Sequence, residues 1–127
     1  MIEKSAYKKC PPAFQFYASD TLANINFRSM SFSERGLYVT LLSELWVNTS
    51  LPADEEKLAV ILGKDVEVIG ENLSDLVLDF FEITKGNITS PDLIAYRNKL
   101  DEIKRKQIIG GKKGQALKKN KARSSEG

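Results

Sequence analysis

The part of the sequence best suited to a chemical task is a run of cations near its carboxyl end. Between positions 104 and 123 there are nine basic residues and no acidic one. Lys and Arg side chains neutralise the phosphates of nucleic acids and release condensed counterions, whereas they read no base sequence. We therefore expect contact with duplex DNA, without sequence choice, through the nine side chains Lys104, Arg105, Lys106, Lys112, Lys113, Lys118, Lys119, Lys121 and Arg123. A solvated terminus without a ligand is the alternative left open.

Residues for catalysis form no recognisable pattern. The sequence has no histidine, and no two carboxylates share an apolar face as acid–base catalysis requires. Its single cysteine, Cys10, has no internal partner for a disulfide and no histidine to activate it. The glycine- and lysine-rich run at 110–114 follows a helical pattern and lacks the hydroxyl that completes a phosphate loop. We predict no catalytic residue, no metal site, no cofactor and no enzymatic activity.

Charge is divided very unevenly along the 127 residues. Residues 1–98 hold 9 basic and 14 acidic residues, a net charge of −5, whereas residues 99–127 hold 10 basic and 3 acidic, a net charge of +7. An acidic body with a basic end is typical of a segment that meets nucleic acid or an acidic partner. The first nine residues contain no apolar core of a signal peptide, and no stretch has the roughly 18 apolar residues that span a bilayer. We expect a cytoplasmic protein that does not enter a membrane.

Three helices and a hairpin are predicted before this basic end. Ser31 and Glu34 form a capping box ahead of the first apolar stripe, in which Gly36 suggests close packing. Asp54 and Gly63 have the types expected at the two ends of a second helix. A third helix is predicted from Asp65, its apolar stripe continuing to Phe80. The apolar residues that mark the first stripe are Leu37, Leu41, Leu42, Leu45 and Trp46.

The order of these elements is that of a winged helix. Two helices joined by a tight turn containing glycine are typical of a helix-turn-helix, and the alternating residues on either side of 85–87 predict a hairpin wing. Ser90, Pro91 and Asp92 then begin a fourth helix, whose stripe of Leu93, Tyr96, Leu100 and Ile103 could cover its own domain or pair with another copy. We predict an α+β, mainly helical domain over residues 1–109, with an irregular arm at 11–26, and a flexible basic tail over 110–127.

The predicted solvent face of the third helix is acidic, which is unusual for a helix that binds in a DNA groove. Glu67, Glu71 and Asp75 would face phosphates of the same charge, and specific groove readers add cations that hold the backbone. We therefore assign these three side chains to docking of a protein partner. In the wing, Lys85 at the hairpin tip is one further candidate for contact with a nucleic acid backbone.

Several of these features occur together in one known family. Spread over residues 11–115, they resemble the YdaU-like family of phage and prophage proteins, and the segments that carry the likeness are Ala13–Asp20, Met30–Ser31, Glu34–Tyr38, Leu41–Leu42, Trp46, Leu51–Asp54, Leu58, Gly63, Phe80–Phe81 and Gly110–Gly114. Ala18 and Asn24 depart from the residues usual there, proline and aspartate.

The resemblance implies a winged-helix module of a phage replication protein, working in the cytoplasm of a bacterial host. It also implies a partner such as a helicase or its loader. Two functions are left open. One is DNA binding through the basic end, and the other is a protein-interaction or transcription-regulatory module that docks a partner through the acidic face. A homodimer is compatible with either.

Overall fold

The computed structural model describes the backbone of residues 11–125 and the side chains of residues 11–110. The chain divides into two compact units, residues 1–94 and 95–127. In the described part, the elements in chain order are α1 (Ala18–Ala23), α2 (Ile25–Ser29), α3 (Phe32–Asn48), β1 (Ser50–Pro52), α4 (Glu55–Leu62), α5 (Val66–Asn72), α6 (Asp75–Leu78), β2 (Glu82–Thr84), β3 (Asn87–Thr89) and α7 (Pro91–Ser125). The predicted α+β, mainly helical class is confirmed.

Helix α3 is the centre of the first unit. The backbone N–H of Glu34 donates to the Ser31 hydroxyl at 3.1 Å, and a Glu34 carboxylate oxygen accepts from the Ser31 N–H at 2.9 Å. The predicted capping box is thereby confirmed. The apolar face that follows is buried in the core, and its buried members are Leu37, Tyr38, Leu41, Leu42, Leu45 and Trp46.

Helix α4 begins and ends where the sequence predicted. The Asp54 side chain accepts from the backbone N–H of Glu56 at 3.1 Å, and Gly63 takes the left-handed conformation with φ of 68°. Leu58 and Ala59 enter the core from this helix. Both ends are therefore set by local chemistry.

The predicted third helix is wrong in its extent, because the chain breaks at Leu73–Ser74 into α5 and α6. The Ser74 hydroxyl donates to the second carboxylate oxygen of Glu34, on α3. This tertiary hydrogen bond holds Ser74 in an extended conformation, with ψ of 168°, and a new helix begins after it. Ile69 before the break and Val77 after it both reach the core.

The hairpin is present, and it belongs to a larger sheet than predicted. Lys85 and Gly86 form a two-residue turn with φ of 53° and 78° between β2 and β3, the conformation that suits a tight hairpin. Strand β1, which the sequence did not predict, pairs with β3 to give the antiparallel order β1-β3-β2. In that pairing Leu51 lies opposite Ile88, and both are buried.

The predicted irregular arm is present over residues 11–17 but wrong from Ala18 onward, where α1 and α2 are helical. The Asn24 side chain accepts from the backbone N–H groups of Asn26 and Phe27, at 2.8 and 3.3 Å, and so begins α2. Phe14 packs against the core, and the centroid of its ring lies 5.6 Å from that of Trp46. Tyr17, by contrast, is exposed.

The last helix also differs from prediction. Its start is as expected, since the Leu93 N–H donates to the Ser90 hydroxyl at 3.3 Å and Pro91 is the first helical residue. The predicted end of this helix before Gly110 is wrong, because α7 continues to Ser125. Lys, Ala, Gln, Leu and Arg, which dominate residues 112–123, are good helix formers, and adding residues to an existing helix is easier than starting one. No helix in the described part of the chain is both long and apolar enough to cross a bilayer.

Candidate nucleic-acid interface

The described part of the basic run lies on α7. Lys104, Arg105 and Lys106 are all exposed. The Lys106 ammonium lies 3.6 Å from the Glu102 carboxylate one turn earlier, with 76% and 60% of the two side chains exposed. An ion pair this exposed contributes little to stability, so Lys106 can readily leave Glu102 for another anion. These cations are therefore accessible to a polyanion.

Six predicted cations are further along the same helix. Their backbone is part of α7, and their side chains lie outside the part of the chain that the structure describes. The six are Lys112, Lys113, Lys118, Lys119, Lys121 and Arg123.

Lys85 is exposed at the tip of the β2–β3 turn. It therefore lies at the hairpin tip, where the sequence predicted it. It belongs to the first compact unit, whereas Lys104–Lys106 belong to the second. Lys85 and Lys104–Lys106 are therefore separate candidate contacts.

The acidic face lies on two helices because of the break at Ser74. Glu67 and Glu71 are exposed on α5, and Asp75 is exposed in the first turn of α6. Lys64, just before α5, is exposed as well. The charged side chains that α5 presents to solvent are thus carboxylates, as the sequence indicated.

A groove of about 320 Å³, which the sequence did not predict, lies between α3 and α5. Buried Leu37 and Ile69 form its floor, while Val68 on one wall is 44% exposed. Thr40 and Asn72 add polar groups to the lining. Hydrophobic periodicity assigned the apolar residues to a core, and only the packing of α3 against α5 leaves a depression between them.

Gly36 lines the groove, which corrects the prediction of close packing at this position. A β-carbon built on Gly36 would meet no atom within 4 Å. The glycine therefore serves no steric need within the described fold. Because Gly36 has no side chain, the groove stays open on the side of α3.

Glu34, in the first unit, has a pKa that its hydrogen bonds shift. Its pKa is lowered from the ordinary 4.5, first by the hydrogen bond from the Ser74 hydroxyl and then by the backbone hydrogen bond from Ser31. Both donors stabilise the carboxylate form. Because the carboxylate joins the start of α3 to the start of α6, its role is structural.

Tyr38 has a raised pKa, because burial disfavours the phenolate and Asp92 adds a like charge. Its ring packs between two others, with its centroid 5.8 Å from that of Phe27 and 4.7 Å from that of Phe80. Tyr38 is accordingly a core residue. Within the described residues, no cluster of three or more His, Cys, Asp or Glu side chains could hold a metal ion.

Comparison of the chain with models of protein families, with curated proteins and with solved structures gives no match. The resemblance to the YdaU-like family therefore stays a prediction.

Proposed function

We propose that the protein binds duplex DNA without sequence preference, chiefly through the basic side chains of α7. The observation that carries the proposal is the exposure of three consecutive cations, Lys104–Lys106, at the start of a helical stretch with no acidic residue before Glu126. Residues 105, 112 and 119 are seven apart, close to two helical turns. A helix of this kind places positive charge at regular intervals, as contact with a phosphate backbone requires.

We further propose that the first unit is a winged-helix domain. A helix, a short strand, two helices and a hairpin follow in order, and the short strand completes the sheet of the hairpin. In this proposal the wing contributes Lys85 as a subsidiary contact. Helix α5 does not enter the major groove, because Glu67 and Glu71 would be repelled by phosphates.

The biological setting that we propose is phage DNA replication in a bacterial host, with a helicase or its loader as partner. The support is the resemblance to the YdaU-like family over residues 11–115. A replication accessory protein needs to hold DNA of any sequence, which fits contacts to phosphates rather than bases.

A second candidate function is docking of a protein partner through the acidic face of Glu67, Glu71 and Asp75. The observation in its favour is the apolar groove beside α5. Concave apolar surfaces with a few polar groups are typical of binding sites.

The DNA-binding proposal is tested by measuring affinity for a duplex of random sequence as a function of salt. We expect the logarithm of the binding constant to fall linearly with the logarithm of salt concentration. The double variant Lys104→Gln/Arg105→Gln should lower the slope by about 1.8, since each lost phosphate contact removes roughly 0.9. The six distal cations, changed together to Gln in the full chain, should lower it further.

A charge-matched control is the double variant Lys57→Gln/Lys64→Gln, which removes two exposed cations from the first unit. We expect it to retain the slope of the unchanged protein. Equal losses in both double variants would show that net charge rather than α7 decides binding. No binding by the unchanged protein at about 50 mM salt would refute DNA binding itself.

A further inference from the structure

We propose that Phe32 and the nearby arginines Arg28 and Arg35 form a stacking site for an unpaired base of single-stranded DNA. The site belongs to the first unit and does not depend on the duplex contact proposed for α7. Phe32 has 86% of its surface exposed, more than any other large apolar side chain in residues 11–110. Within the same residues, the hydrophobic core forms without this ring. The ring is therefore available to a planar ligand.

The start of α3 does not explain an aromatic residue at position 32. The capping box of this helix uses Ser31 and Glu34, on either side of Phe32. A hydrophobic staple, where one exists, joins the residue before the cap to the fourth helical residue. In this chain those two positions hold Met30, which is buried, and Arg35. Phe32 takes part in neither device, so the beginning of the helix does not require its ring.

Arg35 fixes a positive charge beside the ring. Its guanidinium carbon lies 5.4 Å from the ring centroid of Phe32 and 4.5 Å from that of buried Phe27. The Arg35 Nε group donates to the carbonyl oxygen of Phe27 at 3.2 Å, and its Nη2 group donates to that of Arg28 at 3.4 Å. Both acceptors are neutral, so they orient the guanidinium without neutralising it. Arginine beside an aromatic ring is a combination typical of single-strand binding sites.

Arg28 adds a second cation to the same region. Its side chain is exposed near the end of α2, and its Nε group donates to the carbonyl oxygen of Leu22 at 2.6 Å. Within the described residues, no carboxylate lies within 4.0 Å of the guanidinium nitrogens of Arg28 or Arg35. Glu34, the closest acidic residue along the chain, has both carboxylate oxygens in other hydrogen bonds. Two positive charges are therefore left for an external anion.

These groups match the two parts of a nucleotide. The ring offers a face on which any base can stack, and the guanidinium groups offer contacts to phosphate. The bases of a duplex already stack on one another, whereas those of a single strand are free to stack on a side chain. A protein partner fits less well, because it would have to supply carboxylates to two guanidinium groups that an interface removes from water.

The site also supplies what α7 lacks. Residues 99–127 hold 10 basic residues and no aromatic residue. Contacts from that segment to phosphates cannot recognise an unpaired base by stacking. Phe32 gives the first unit this capacity, whatever the base sequence.

The proposal is tested with the full chain, an oligothymidylate of about 12 nucleotides and a duplex of the same length. Phe32→Ala should weaken binding to the oligothymidylate by about fivefold or more, the effect of losing one stacked base, and leave binding to the duplex unchanged. Because Phe32 is exposed, the substitution should hardly change Tm. An affinity for the oligothymidylate equal to that of the unchanged protein would overturn the proposal.

Phe16→Ala is the matched control. It removes the same side chain from a position that is 48% exposed and where, among the described residues, no guanidinium lies over the ring. We expect this variant to bind the oligothymidylate as the unchanged protein does. Equal losses in the two variants would overturn the assignment to Phe32.

Two comparisons show whether the lost contact is stacking. An abasic strand of the same length keeps the phosphates and lacks the bases, so Phe32→Ala and the unchanged protein should bind it equally. Phe32→Trp should bind the oligothymidylate at least as tightly as the unchanged protein, whereas Phe32→Leu, which is apolar without a ring, should bind as weakly as Phe32→Ala. A loss on the abasic strand, or full affinity of Phe32→Leu, would contradict stacking.

Phe32→Trp also gives a direct optical signal. Trp46 is the only tryptophan of the chain and is 4% exposed, so its emission should respond little to a ligand at the surface. The exposed indole introduced by Phe32→Trp should be quenched when a base stacks on it. Binding of the oligothymidylate without quenching would argue against the site.

Arg28→Gln tests the phosphate contact. On the oligothymidylate it should lower the slope of log binding constant against log salt concentration by about 0.7, the contribution of one phosphate contact to a single strand. Lys57→Gln, which removes an exposed cation of α4 from the same unit, should leave the slope unchanged. Equal slopes for the two variants would overturn the part assigned to Arg28.

The inference and the proposed function can fail separately. Absence of duplex binding, together with oligothymidylate binding that depends on Phe32, would refute only the duplex contact of α7. Duplex binding that depends on Lys104 and Arg105, together with oligothymidylate binding that is indifferent to Phe32, would refute only the stacking site.

Discussion

The most informative stability experiment is Gly36→Ala. Gly36 is exposed within α3, and its added β-carbon meets no atom within 4 Å. No steric cost therefore offsets the gain in helix propensity, which is about 1 kcal/mol in a helix interior. We expect the free energy of unfolding to rise by about that amount.

A gain of this size is readily measured. For a domain of the size of residues 1–94, about 1 kcal/mol corresponds to roughly 4–8 °C in Tm. Trp46 is the only tryptophan and is buried, with 4% of its surface exposed. Its fluorescence during thermal or urea unfolding should therefore report the transition of this unit.

Gly63→Ala is the matched control, because it makes the same chemical change in an equally open place. A β-carbon at Gly63 also meets nothing within 4 Å, but the residue has φ of 68°. Alanine is strained in this conformation, and we expect a loss of about 1 kcal/mol. The two substitutions should thus move Tm in opposite directions.

Two outcomes would refute this reasoning. An unchanged or lower Tm for Gly36→Ala would mean that α3 is closely packed at this position after all. A higher Tm for Gly63→Ala would mean that the left-handed end of α4 is not as described. The first outcome would also mean that the groove beside Gly36 is not open as described.

Two further predictions concern the contacts that hold the first unit together. The lowered pKa of Glu34 stabilises the fold at pH values above the ordinary pKa of 4.5, and this stability should be lost as pH falls through the lower folded-state pKa. Urea unfolding measured from neutral to acid pH should show this loss, and the Glu34→Gln variant should lack the part that Glu34 causes. An identical pH profile in the variant would contradict the assignment. Ile88→Ala should lower the free energy of unfolding, measured in urea, by about 2–5 kcal/mol, because Ile88 is fully buried. Its cross-strand neighbour Ile83 is 49% exposed, and Ile83→Ala should change that free energy by no more than about 0.5 kcal/mol. Similar losses in both variants would refute the burial pattern of the sheet.

Part of the candidate interface could be predicted from sequence because charge is a property of residue type. The accessibility of Lys104–Lys106 and the acidic nature of α5 follow from charge segregation and helical period. The groove could not be predicted in this way. Its existence depends on how far α3 lies from α5, and no local pattern encodes that separation.

The ends of several elements were determined by the sequence itself, since their signals act within a few residues. The Ser31–Glu34 capping box, the Asp54 cap and the Lys85–Gly86 turn satisfy backbone groups next to themselves. Such hydrogen bonds and positive-φ positions need no partner from elsewhere in the chain. For that reason they could be identified without a structure.

Tertiary structure decided the features that need distant residues. Ser74 interrupts a continuous apolar stripe because its hydroxyl donates to Glu34 on another helix. Leu51 belongs to a strand only because Ile88 lies opposite it. Gly36, predicted to be packed, instead lies beside open space. The basic residues were evident in the sequence from the outset, whereas the groove between α3 and α5 exists only in the folded chain.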